Sequence, residues 1–206
     1  LMGESSTPWK ENRWLPGVLN FEQMHSLIKC GLITGTVGKI DPDASAIDLH
    51  LTEEVFEMVK GSLKPFDKQY SNILHDIYYA KSLTNKENDN TFILKKGHCY
   101  VIKIKEKLHP AIVNSSPFYG QATAKSSIGR VDVIARLIVD GMKEYEKFSP
   151  KEVTSGEMFL EVTPITFDVK IKEGISISQL RFCNGDFDDS IITDEDFIES
   201  ILNLSH

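Results

Sequence analysis

Phe159-Leu160-Glu161-Val162-Thr163-Pro164-Ile165-Thr166-Phe167 reads on a period of two, and this stretch decides the fold. It continues to Ile171 as one long strand or two, with Pro164 marking an edge or a bulge, because proline cannot donate to a sheet ladder. Outward from it, Tyr100–Lys105 and Ile175–Phe182 carry the same period, as does Ala46–Leu51 after a turn at Asp41. Many short strands with few helices predict a mainly β chain, a distorted β-barrel or jelly roll with a few short peripheral helices. One helix is expected from Asn20 to Cys30, with Asn20 as N-cap, a stripe of Phe21, Met24, Leu27 and Ile28, and Gly31 ending it. A second is expected over residues 66–80. A third, amphipathic, is expected from Thr193 to about Leu204. Asn85–Asn90 reads as an exposed polar loop. Residues 1–16, with two Trp and two Pro, read as an N-terminal arm that packs on a partner, or as a remnant of cloning. The domain proper is then 17–190, followed by a C-terminal helix over 191–206.

Composition narrows the function. The chain has 206 residues, 41% hydrophobic and 26% charged, the balance of a soluble globular protein. Its formal charge of −7 argues against a nucleic-acid partner, while a local cationic cluster still suits a small anion. Cys30, Cys99 and Cys183 form no CxxC pair, which fits a reduced, cytoplasmic protein without zinc. No apolar run reaches the length of a membrane span.

Two segments carry chemistry. Lys125-Ser126-Ser127-Ile128-Gly129-Arg130 reads as a loop entering a helix through Val131–Ile134, with backbone N–H groups, hydroxyls and two cations suited to phosphate. An ordinary serine-capped helix with solvated charges explains the same residues. Ser155-Gly156-Glu157-Met158-Phe159-Leu160-Glu161 puts a carboxylate on an apolar strand face, where burial favours its neutral form and suits a general acid/base. A buried Glu161 paired with Arg130, Arg136 or Arg181 is the alternative. Asp140, before Gly141, either contacts a sugar or a phosphate-bound Mg²⁺, or caps a turn, which is the commoner role. Gln179 either bonds a ligand or faces solvent. The six histidines form no HExxH and no zinc-deaminase signature, and the chain has no P-loop and no GxGxxG.

Taken in order, these segments resemble the dCTP deaminase family of the trimeric dUTPase-like superfamily, over about residues 17–190. Lys125–Arg130 is similar to its Ser-Ser-x-x-Arg phosphate motif, and Ser155–Glu161 to its Ser-Gly-x-x-x-Leu-Glu strand, which ends on the catalytic Glu. Gly17-Val18-Leu19, Ala46–Leu51 and Gly174–Phe182 are similar to its opening and closing segments. The likeness is greatest to the first module of a bacterial branch that joins two modules in one chain. The resemblance implies conversion of dCTP to dUTP and ammonia, with Glu161 activating water and no metal at the base. Ser126 and Arg130 would assist it. Lys125, Ser127, Arg136, Asp140 and Gln179 would join Ser126 and Arg130 in binding substrate, with Mg²⁺ carried on the triphosphate. It also implies sites shared between subunits of a homotrimer, or with a second module. Two departures stand out. Gly141–Thr154 replaces a short turn that contacts the base, and the acidic tail after Phe182 lacks the family's Tyr, Lys and Gln lid. The competing readings are a dUTP diphosphatase using Asp140, and a non-catalytic nucleotide-binding or assembly module.

Overall fold

The computed structural model describes residues 7–36, 45–65, 69–83, 90–129 and 132–185. The chain opens with α1 (Pro8–Glu11), β1 (Gly17–Val18), α2 (Phe21–Lys29), β2 (Ile33–Thr34) and the long β3 (Ile47–Met58). Then come α3 (Ser71–Leu74), β4 (Ala80–Leu83), β5 (Thr91–Leu94), β6 (Tyr100–Ile104), β7 (Lys107–Leu108) and α4 (Pro110–Asn114). It continues through β8 (Phe118–Ala124), α5 (Ser126–Gly129), β9 (Val133–Val139), β10 (Lys147–Phe148), β11 (Met158–Pro164), β12 (Val169–Lys172) and β13 (Ser176–Asn184).

The main sheet runs β10-β8-β13-β3-β6-β11-β9, with β1 on β13 and β4 on β3. β3 serves both halves. Its start, Ile47–His50, pairs with β13, and after a register shift between Leu51 and Val55 its end pairs with β6. Such an irregularity bends a strand, and here the bend curls the sheet into a nearly closed barrel. Glu146 stitches the gap. Its N–H donates to Leu137 O at 2.8 Å, its carbonyl accepts from Ala122 N at 2.6 Å, and its carboxylate accepts from Leu137 N at 2.9 Å. Beside it Phe148, 1% exposed, lies where a Cβ on Gly120 would stand, only 1.9 Å from the ring, so this approach requires glycine.

β11 is flanked on both sides, pairing Phe159–Val162 with β6 and Met158–Pro164 with β9. Its two faces are both buried, as a near-continuous apolar run implies. Met158, Leu160 and Val162 join the barrel interior with Leu49, Ile102, Leu137 and Leu180. Phe159 joins a second cluster outside the barrel with Phe56, Tyr70, Ile73, Leu74, Cys99, Val101 and Ile138.

Several expectations stand. The helix of residues 20–30 is present, and Asn20 and Gln23 form a reciprocal capping box. In β3, Ile47, Leu49 and Leu51 are buried while Asp48 is exposed. Others need correction. Residues 66–68 of the helix expected over 66–80 lie outside the described residues; among 69–80 it is a single turn, Ser71–Leu74, because Asp76–Tyr79 turns back and hands the chain to β4. Of the two forms expected for Phe159 to Ile171, the pair of strands is present, β11 and β12 parted by a turn after Pro164. The ladder with β6 ends at Val162; beyond it Pro164 pairs with β9, and its carbonyl accepts from Gly97 N–H at 2.8 Å, so the proline marks the end of that ladder. Ile165 and Phe167 lie exposed in that turn and do not share Glu161's face. Lys125 leads into one helical turn, Ser126–Gly129, and β9 begins at Val133, so Val133 and Ile134 are strand residues. The arm turns to its own barrel: Trp9, 6% exposed, meets Phe118 edge-on at 5.1 Å, and Trp14 lies 5.8 Å from the same ring. The expected helix from Thr193 and most of the 85–90 loop lie outside the described residues.

Candidate active site

Glu161 lies opposite Arg136 in the β11–β9 ladder and opposite Val101 in the β11–β6 ladder. Directly opposed residues share a face and reach each other, so the backbone register alone brings carboxylate to guanidinium. Arg136 donates to Glu161 Oε1 from Nε at 3.1 Å and also from Nη2. Oε2 accepts from Ser62 Oγ at 2.8 Å and from the Tyr145 hydroxyl at 3.0 Å. Ser62 comes from the irregular stretch after β3, and Tyr145 from the Gly141–Thr154 segment. The Arg136 guanidinium also stacks 4.1 Å above the Tyr145 ring. The carboxylate is 2% exposed, whereas the arginine is 40% exposed. The pair is therefore buried at its anionic end and open to solvent at its cationic end.

The surroundings respond to this charge. Burial, reinforced by Glu161, pushes the Cys99 thiol up to about 11. Burial also raises the Tyr145 hydroxyl above the usual phenol range, with the Ser62 bond opposing and the Glu161 charge adding. Both groups remain protonated near neutrality, and Tyr145 acts there as a donor.

Asp140, at the end of β9, is 1% exposed. Its Oδ1 accepts from Tyr70 N at 2.6 Å and its Oδ2 from Ser155 Oγ at 2.8 Å. Burial raises its carboxyl above the usual range, against those two hydrogen bonds. Both oxygens are engaged inside the fold, and Asp140 sits at a turn, the commoner of the roles its sequence allowed. Within the chain it therefore acts as a brace, tying Tyr70 and Ser155 to the end of β9. Ser155 holds this brace, and Gly156 follows with φ of +75° while a Cβ there would meet Leu108 O at 1.9 Å. Only glycine satisfies both conditions.

Of the other sequence-predicted residues, Lys125 directly follows β8 and Gln179 lies in β13, which pairs with β8. Lys125 Nζ meets Asp48 Oδ2 at 2.6 Å, and Gln179 Nε2 donates to Thr123 Oγ1 at 3.2 Å. Ser126 and Ser127 begin α5 and are exposed. Among the described residues, no hydrogen bond joins Ser126 or Ser127 to Glu161. Arg130 lies outside the described residues. The sequence reading missed Ser62 and Tyr145. Tyr145 carried one usable signal, an aromatic within a charged insertion, and Ser62 carried none.

Among the described residues, no group of three or more His, Cys, Asp or Glu is arranged to hold a metal ion, and no helix is long and apolar enough to cross a membrane.

Comparison with known proteins then bears on the site. No curated protein matches the chain. Among solved structures, the 2'-deoxycytidine 5'-triphosphate deaminase from Agrobacterium tumefaciens has a similar fold, with a TM-score of 0.67 and 24% sequence identity. The match covers 82% of this chain and 48% of that one, so this chain spans about half the length of that relative. A sequence model of the 2'-deoxycytidine 5'-triphosphate deaminase (DCD) N-terminal domain matches residues 15–186. With that match running through the barrel and both chemistry-bearing segments, the chain belongs to the dCTP deaminase N-terminal domain family.

Proposed function

We propose that this chain catalyses, or contributes the catalytic carboxylate for, hydrolytic deamination of dCTP to dUTP and ammonia. The observation that carries the reading is Glu161. It is a 2%-exposed carboxylate held by an arginine that reaches solvent, at the end of the segment that resembles the family's catalytic strand. Glu161 takes a proton from water as the water oxygen bonds to C4 of cytosine, and the C4–N3 π pair moves to N3. The carboxyl passes that proton to N3. It then moves the new hydroxyl's proton to the amino group, so that the C4–N bond breaks and ammonia leaves as the C4 carbonyl forms. No metal acts at the base. Low exposure supports this role, because an acid/base works best where bulk water does not compete for the proton.

Lys125, Ser126, Ser127 and Arg130 bind the triphosphate as its Mg²⁺ complex, with Gln179 beside them and Arg136 at the base end. Lys125 is neutralised by Asp48 within the chain, so a phosphate competes for it. Ser126 comes to the water, and Arg130 to the phosphate beside Glu161, from a neighbouring copy in a homotrimer or from a second module of the same fold. That no hydrogen bond joins Ser126 or Ser127 to Glu161 among the described residues supports that reading. Residues 17–190 form the deaminase domain, between an arm and a C-terminal helix, and the protein works in the cytoplasm on nucleotides.

Chromatography of purified protein with Mg²⁺ and dCTP, then dUTP, tests this. The expected result is dUTP and ammonia from dCTP, absent in Glu161→Gln. Unchanged turnover in that variant rules out the assignment, and dUMP as the product redirects it to phosphate chemistry.

A further inference from the structure

A carboxylate has about four acceptor sites. Glu161 fills them with two bonds from Arg136, one from Ser62 and one from Tyr145. A general base needs a water within hydrogen-bond reach. One of these partners therefore occupies the place of the water. Arg136 is excluded, because its loss would leave a buried carboxylate without a counter-charge. Tyr145 is half-buried and stacked beneath Arg136. Ser62 is exposed, on a stretch with no regular structure, and its one hydroxyl contacts three polar atoms. These are Glu161 Oε2 at 2.8 Å, Arg136 Nη2 at 3.2 Å and the Tyr145 hydroxyl at 3.2 Å. Two to four polar partners at such distances are the surroundings of a bound water.

We propose that the Ser62 hydroxyl stands in for the attacking water, and that Glu161, Arg136 and Tyr145 form the cradle that holds that water once Ser62 turns away. The inference rests on the deaminase reading and adds Tyr145 as a positioning residue. With Ser62 rotated to another staggered rotamer, a water in its place donates one proton to Oε2 and accepts from Arg136 Nη2. Its remaining lone pair points to the substrate carbon. Tyr145 spends its single proton on Oε2, which keeps the carboxylate aimed at the water. The backbone carbonyl of Leu63, 3.4 Å from the same hydroxyl, is the weaker competing acceptor. The Gly141–Thr154 segment thus does its work at the carboxylate, through Tyr145.

The two hydroxyls bond the same oxygen, yet their removal has opposite effects. In Ser62→Ala, water enters without competition, and ammonia release rises by about two- to fivefold, since the competent fraction of the site increases. In Tyr145→Phe, the ring stays over Arg136 but the carboxylate loses a donor. There kcat falls by about tenfold or more, with KM within about twofold of wild type because the residue does not bind the nucleotide. If both hydroxyls were merely structural, both variants would lose activity. Turnover of Ser62→Ala at or below wild type overturns the proposal.

A second measurement does not depend on turnover. Water-soluble carbodiimide labels accessible carboxylates, and peptide mass spectrometry reads the rate at Glu161. Labelling accelerates severalfold in Ser62→Ala, and an unchanged rate overturns the proposal. If the wild type releases no ammonia, the deaminase reading falls, while the labelling rate still decides whether the Ser62 hydroxyl is what closes Glu161.

Discussion

Asp140, where β9 ends, and Glu161, in the middle of β11, are carboxylates shut away from water to nearly the same degree, 1% and 2% exposed. Their partners differ in kind. Asp140 accepts from a buried backbone N–H and a serine hydroxyl, both neutral. Glu161 accepts from an arginine that is 40% exposed, and from two hydroxyls on loops. Neutral, inward partners do not balance a charge, and burial accordingly raises the Asp140 carboxyl. A cation that reaches solvent balances the charge and leaves a route by which a ligand can approach. Tyr70 links the two regions: its N–H holds Asp140, its ring lies 6.0 Å from that of Phe159, and its hydroxyl holds Leu63 O beside Ser62. One carboxylate therefore anchors the segment that the other uses. Burial therefore does not separate the two carboxylates; the partners do, neutral and inward for Asp140, cationic and reaching solvent for Glu161.

The largest expected difference is in turnover. Glu161→Gln loses about a thousandfold or more in ammonia release, the scale of a missing general base. Asp140→Asn stays within about threefold, because it acts on the reaction only through Tyr70 and the backbone. A loss in Asp140→Asn as deep as in Glu161→Gln breaks the comparison, and loss of pyrophosphate release there turns it towards diphosphatase chemistry.

Stability gives the next differences, read by urea unfolding. Gly156→Ala costs about 3 kcal/mol, since a Cβ would press into the Leu108 carbonyl at a φ that side chains avoid. Asp140→Ala costs about 2 kcal/mol by leaving the Tyr70 N–H and Ser155 hydroxyl without their acceptor. Asp140→Asn costs less than about 1 kcal/mol, because one acceptor oxygen remains and no charge is buried. An alanine variant as stable as the asparagine one would show that the brace carries no load.

The smallest effect is in pH dependence. The folded state raises the Asp140 carboxyl above its unfolded value, so the folded chain holds the proton more firmly. Stability from this group is thus fully present below the unfolded value of about 3.9 and is lost as pH rises through the raised folded value. Glu146, also raised by burial against its Leu137 bond, acts in the same direction. Between pH 7 and 4, Asp140→Asn should therefore show a shallower rise in stability on acidification than wild type. Parallel curves would mean that Asp140 titrates as it does in the unfolded chain.

Much of the barrel was legible because period-two alternation reports burial directly. Ile47, Leu49 and Leu51 point inward as their spacing requires, and Asn20 with Gln23 starts α2 through contacts three residues apart. The missed elements depend on contacts that are distant in sequence. The apolar residues of 66–80 read as a helix stripe, but Tyr70, Ile73 and Leu74 are inserted against Phe159 and Ile138 as parts of a turn. Lys125–Arg130 has the residues of a helix start, yet the barrel claims Val133 onward as a strand.

The same division holds at the site. Local chemistry in the sequence was enough to mark Glu161 as an inward carboxylate, to read Lys125–Arg130 as a loop entering a helix, and to offer Asp140 a turn. Order and spacing along the chain were enough to point to the family. Tertiary structure alone brought Arg136 to Glu161, because a partner is set by strand register, and Glu161 pairs with Arg136 across β11 and β9. It alone brought Ser62 and Tyr145, 99 and 16 residues away, to one carboxylate oxygen. It alone separated Asp140 from Glu161, since the charge and access of a neighbour depend on how strands and loops close over a face, and no local pattern encodes that closure.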